Sequence, residues 1–146
     1  MAYRSEAQFQ QRCVLWWKNT YLEKAKRLFA VVNEGRDVTV KLGVGMTPGV
    51  CDLLYVDDEG YLWGRELKLP GTSHKVSHLR KQAKWMIEVL GDRGRFVDSF
   101  EDFQTLMLGG EAGIKPEAVL KYLEGVKKDS ITWDGSRFSI TEKAQE

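Results

Sequence analysis

The sequence predicts an α/β fold: a mixed β-sheet flanked by helices, followed by a helix-hairpin extension. Three observations carry this reading. An amphipathic helix opens the chain, two short strands bracket Asp58-Glu59-Gly60, and a helix over residues 76–90 runs into a further strand at 95–98. The resulting order α, β, β, β, α, β, α suits helices laid against a sheet.

Taken in order, Ser5 is an N-cap with Gln8 three positions on, a capping box. Phe9, Cys13, Trp16 and Trp17 then fall at i, i+4, i+7 and i+8, one face of a helix. Residues 5–30 read as helical, and the continuation from Tyr21 to Asn33 suits a second short helix or a strand at its end. The last part, Leu28-Phe29-Ala30-Val31-Val32, is taken as a strand because it ends in β-branched residues and Asn33-Glu34-Gly35 punctuates it. Gly43, Gly45, Pro48 and Gly49 mark a loop. Val50 to Asp57 and Tyr61 to Leu69 read as strands joined by a three-residue hairpin loop, with Gly60 in its left-handed position. That turn sets residue i opposite residue 118 − i, so Asp52 stands across from Glu66.

Val76, Leu79, Ala83, Met86, Ile87 and Leu90 form one apolar helix face, with Ser73 or Ser77 as cap and Gly91 as stop. Arg95 to Asp98 is a strand, and Ser99 caps a helix over FEDFQTLML. After Gly109-Gly110, Pro116 opens a helix to about Val126, and ITWDGSRFSIT reads as a hairpin around Asp134-Gly135. The chain thus divides into a core, 1–110, and an extension, 111–146, packed on the same domain.

A chain of 146 residues can bury a core without disulfides. Cys13 and Cys51 are too few for a disulfide framework and lack zinc-type partners, so both are expected to be buried free thiols. No run approaches the ~20 apolar residues of a membrane span. The opening MAYRSEAQFQQR lacks the apolar stretch of a signal peptide, so a cytoplasmic chain with no membrane partner is expected. The net charge of +1 hides an asymmetry: residues 65–95 hold eight Lys and Arg against three Asp and Glu. An anionic partner and a plain solvated helix face explain that excess equally well.

Glu66 and Lys68, two apart on a strand, share a face. Asp52 joins them across the hairpin, where opposed Cβ atoms lie about 4.5–5.5 Å apart. Two carboxylates that close repel unless a cation lies between them. Carboxylate and carbonyl oxygens suit a hard cation such as Mg²⁺, which keeps several of its waters. A lysine beside those waters can orient one or stabilise a developing anion. The alternative is a cross-strand salt bridge, with Lys68 simply neutralising the acids.

The ordered set Gly49-Val50-Cys51-Asp52, Glu66-Leu67-Lys68, and Ser77 through Gln82 to Trp85 resembles the virus-type replication-repair nuclease (VRR-Nuc) domain of the PD-(D/E)XK nuclease superfamily. Glu6 with Gln10, and Asn33-Glu34-Gly35, add to the likeness, which covers about residues 5–107. The sequence departs from that pattern at Cys51, where proline is usual, and at Leu69, where glycine is frequent.

The resemblance implies a PD-(D/E)XK restriction-endonuclease-like core and a DNA endonuclease of phage or mobile-element type, using Mg²⁺ or Mn²⁺. It further implies duplex or branched DNA as partner, a homodimer, and a bacterial or phage-infected host cell. Asp52, Glu66 and the Leu67 backbone carbonyl would hold the metal, Lys68 would sit by the attacking water, and Gln82 would reach the site. Glu6 would add a carboxylate, although it also suits a helix first turn on dipole grounds. Gln82 could instead be the polar edge of an amphipathic helix. Lys75, His78, Arg80, Lys81 and Lys84 would contact phosphates, which gives affinity without sequence reading. Two other classes stay open on sequence alone: a non-catalytic nucleic-acid-binding module with the same fold, and a small interaction protein that uses its extension.

Overall fold

The computed structural model describes residues 3–31, 47 and 49–138. Val32 of the expected first strand, Asn33-Glu34-Gly35, Gly43, Gly45, Pro48 and residues 139–141 of the expected hairpin lie outside the described residues.

Helix α1 spans Glu6–Thr20, with Ser5 Oγ accepting from the Gln8 N–H at 3.2 Å. The return bond of the capping box reaches one residue further back: Gln8 Oε1 accepts from the Arg4 N–H at 2.7 Å. Phe9, Cys13 and Trp17 are its buried face. The helix stops at Thr20, a 3₁₀ segment covers Leu22–Arg27, and strand β1 is confined to Leu28–Ala30.

Strands β2 (Leu53–Val56) and β3 (Leu62–Leu67) pair antiparallel with Leu53 opposite Arg65 and Leu54 opposite Gly64. This is the register the turn predicts. Gly60 has φ 89°, and Asp57 Oδ1 accepts from the N–H groups of Glu59 and Tyr61, which closes the loop. Strand β4 is Ser73–Lys75, and helix α2 (Val76–Trp85) continues through a π turn at Met86–Leu90. Strand β5 (Gly94–Val97) lies parallel to β3. Among the described residues the main sheet has the order β1-β2-β3-β5 and is mixed.

Helices α1 and α3 (Phe100–Met107) cover one face of this sheet, where Phe9, Trp17, Leu53, Leu67, Val97 and Phe103 form a core. Helices α2 and α4 (Pro116–Glu124) cover the other, with Leu54, Leu79, Met86, Phe96, Leu123 and Trp133 between. Ser99 caps α3 as expected, accepting from the Asp102 N–H at 3.1 Å.

Two local expectations are corrected. Neither Ser73 nor Ser77 caps α2: Ser73 lies in β4, Ser77 lies inside the helix, and Lys75 holds the cap position without a side-chain bond. The first helical N–H, of Val76, is satisfied instead by the Asp129 carbonyl at 2.8 Å. The turn expected at Asp134-Gly135 is the start of a helical stretch over 135–138, with Asp134 Oδ1 accepting from Ser136. Gly135 does not adopt the positive φ that a tight hairpin turn needs; a Cβ there would run into the Asp98 carboxylate. Strand β6 (Ser130–Thr132) pairs with β4.

Candidate active site

The β2–β3 ladder ends at Leu53 and Arg65, and the next two opposed residues are Asp52 and Glu66. Glu66 and Lys68 are 2% and 4% exposed, unusual burial for charged groups on a strand. Lys68 Nζ lies 3.5 Å from Glu66 Oε2. Asp52 Oδ2 accepts from the Leu67 N–H at 2.9 Å. A strand residue's N–H and C=O point to the same side, so the Leu67 carbonyl also faces the space beyond the end of β2. The Leu67 side chain is buried on the opposite side, against α1.

The first turn of α1 reaches the same place. Glu6 Oε2 accepts from the Leu69 N–H at 3.3 Å and lies 3.7 Å from His74 Nε2. Burial pushes the Glu6 carboxyl above its ordinary range; Lys68 opposes that and Asp52 adds to it. Burial also holds His74 down, to about 4, with Lys68 acting the same way. His74 is therefore neutral at pH 7, and its approach to Glu6 is not an ion pair. Burial drives Glu66 well above the carboxylate range, the Asp52 charge adds to it, and Lys68 pulls the other way. One lysine thus faces three carboxylates.

Lys68 does not complete Glu66: Glu66 Oε1 is buried with no hydrogen-bond partner among the described residues. Gln82 Oε1 is in the same condition. A buried polar atom without a partner is rare and asks for a ligand, ion or water. Gln82 sits in the middle of α2, on the turn against which Gly49 packs; a Cβ at Gly49 would come within 2.7 Å of the Lys81 carbonyl. The chain leading into Asp52 therefore rests on the part of α2 that carries Gln82.

Among the described residues no three His, Cys, Asp or Glu side chains form a ready metal-binding group. The arrangement is sparser: Asp52, Glu66 with one bare oxygen, and the Leu67 carbonyl. Mg²⁺ is commonly held by one or two carboxylates, with its remaining positions left to water and substrate. The donor set fits that mode.

Lys75, His78, Arg80, Lys81 and Lys84 are all exposed, on α2 and the strand before it. Arg80 is partly engaged, donating to the Leu123 carbonyl at 3.2 Å. Lys75 and Arg80 line a groove with Lys127 and Lys128, which the β4–β6 pairing brings alongside. Sequence reasoning passed over Lys127 and Lys128, whose only signal is their adjacency. The sequence offers His74 only as a phosphate or polar contact, because β4 is too short and polar to read as a strand. Compared with protein-family models, with curated proteins and with solved structures, the chain finds no match.

Proposed function

We propose that this chain is a metal-dependent endonuclease that hydrolyses DNA phosphodiester bonds, built on a PD-(D/E)XK-type core of the virus-type replication-repair kind. The observation that carries it is the half-partnered, fully buried Glu66, set across from Asp52 and beside Lys68. A salt bridge alone would leave no reason to bury a second carboxylate against the first, since a buried pair pays heavily for lost hydration.

On this reading Asp52, Glu66 and the Leu67 carbonyl hold Mg²⁺ or Mn²⁺, which supplies Lewis acidity and positive charge at the scissile phosphate. Lys68, fixed at the strand exit, donates to the attacking water and keeps it in line. Glu6, held by the Leu69 N–H, provides a further acceptor at the edge of the site. Gln82 offers an amide oxygen from α2. Lys75, His78, Lys81 and Lys84, with Lys127 and Lys128, attract the phosphate backbone without reading bases. Duplex or branched DNA is the partner, and a homodimer in a bacterial or phage-infected cytoplasm is the working form.

A second reading, DNA binding without cleavage, draws on the same exposed lysines and on the internal Lys68–Glu66 contact. One experiment separates the two: incubate linear, flapped and four-way-junction DNA with the protein and Mg²⁺ or Mn²⁺. Cleavage is expected, with Asp52→Ala and Lys68→Ala each reducing it by at least about 10²–10³-fold, the size of losing one transition-state contact. Retarded but uncut DNA under every divalent ion would select the binding module.

A further inference from the structure

The other face of β3 carries a second buried charge. Arg65 alternates with Glu66, is 2% exposed, and points away from the acids. Among the described residues its polar partners are backbone carbonyls: Nη1 donates to Gly64 at 3.0 Å and to Arg93 at 3.3 Å. Its Nε is buried with no partner. Carbonyls satisfy guanidinium hydrogens but do not neutralise the charge.

The residue directly beside Arg65 across the parallel β3–β5 ladder is another arginine, Arg95. Like charges so placed oppose one another. Arg95, with its side chain 11% exposed, donates to the Asp92 and Gly94 carbonyls. Its carboxylate neighbour is Glu111, 3.7 Å away and itself 86% exposed, a loose contact. Arg65 and Arg95 line a cavity of about 410 Å³ together with Trp63, Asp92, Glu111 and Lys115. The Arg65 guanidinium stands 5.6 Å from the centre of the Trp63 ring.

Two neighbouring guanidinium groups, one buried and one half-buried, and a lysine outweigh the cavity's two carboxylates, the exposed Asp92 and Glu111, and with one Nε unsatisfied they form an arrangement completed by an oxyanion. The planar guanidinium fork matches phosphate oxygens in a bidentate way. The cavity falls within the range of about 300–1,000 Å³ typical of small-molecule sites, and Trp63 gives it one flat apolar wall. We propose that this cavity is a binding site for a phosphate-bearing small anion, whose oxygens are taken by Arg65, Arg95 and Lys115. The ligand is inorganic phosphate or a nucleoside monophosphate whose base lies against Trp63. The site lies on the opposite face of the sheet from Asp52 and Glu66 and does not depend on the nuclease reading.

The test is calorimetric titration and thermal denaturation of the full chain with sodium phosphate, with 5′-AMP, and with sodium chloride at matched ionic strength. EDTA is kept present so that no metal-bridged phosphate at Asp52 and Glu66 contributes. Saturable binding and a rise in melting temperature with phosphate, absent with chloride, are expected. A markedly tighter 5′-AMP than phosphate assigns the ligand as a nucleotide, and equal affinities assign it as phosphate itself. Arg95→Gln and Lys115→Gln should each weaken binding about tenfold, the size of one charge-assisted hydrogen bond. Arg65→Met should lose the phosphate response while melting no lower than the wild type in plain buffer, because it removes an uncompensated buried cation. No saturable response in the wild type overturns the proposal. So does a response unchanged in both Arg95→Gln and Lys115→Gln, or an Arg65→Met protein that melts well below wild type yet still binds.

Discussion

Arg65 and Glu66 are neighbours in one strand and equally buried, yet the two faces of the sheet treat them differently. Glu66 has a lysine 3.5 Å away and a second carboxylate opposite; Arg65 has carbonyls, an aromatic ring and a second arginine. Burial pushes both pKa values toward the neutral form, Glu66 upward and Arg65 down to about 10. What differs is the compensation. Among the described residues the acidic face carries one internal cation, whereas no carboxylate other than Glu111, at the rim, is paired with the basic face. A buried charge with a partner is costly to halve, and one without a partner is cheap to delete.

The sharpest way to break that contrast is Lys68→Met in metal-free buffer. It leaves Glu66, Asp52 and Glu6 together without Lys68 and should cost about 3–5 kcal/mol, the usual penalty for breaking a buried pair. Urea unfolding measures it; a loss under about 1 kcal/mol would mean that Glu66 is already protonated there and that the two faces are alike. Leu67→Ala, between the two charges, should cost about 2–5 kcal/mol through the cavity left against α1. That loss should be the same with and without Mg²⁺, since only the Leu67 backbone belongs to the acidic site. A smaller control lies away from both charges: Ser99→Ala removes the cap of α3 and should cost about 1 kcal/mol. It should leave phosphate binding nearly untouched, because Ser99 caps the end of α3 opposite to Leu106, which lines the basic cavity.

Local chemistry made the hairpin legible. Asp58-Glu59-Gly60 admits few loop geometries, so the turn alone set Asp52 opposite Glu66, and the pairing follows it residue for residue. The face of α1 was likewise readable from Phe9, Cys13 and Trp17. What was not legible depends on partners remote in sequence. His74 and Lys75 form a strand because Ser130 to Thr132 lie against them, and neither segment shows alternation long enough to announce itself. Asp134-Gly135 looks like a turn because both residues favour turns, but Asp also caps helices, and the Asp98 carboxylate leaves no room for a larger residue at 135. Arg65 was hidden for another reason. A lone arginine in a strand says nothing until the parallel partner is known, and Arg95 becomes its neighbour only through the crossover between β3 and β5.

The β4–β6 ladder has a consequence in time. Thr72, Gly71 and Val76 exchange backbone bonds with Trp133 and Asp129, so the edge bearing His74 is finished by chain made well after the acids and Lys68. During synthesis the hairpin can close while those later residues are still inside the ribosome, because its contacts are local. Lys127 and Lys128 reach Lys75 only once the later segment has emerged and docked. The nascent chain can thus set Asp52 opposite Glu66 before Lys127 and Lys128 come alongside Lys75.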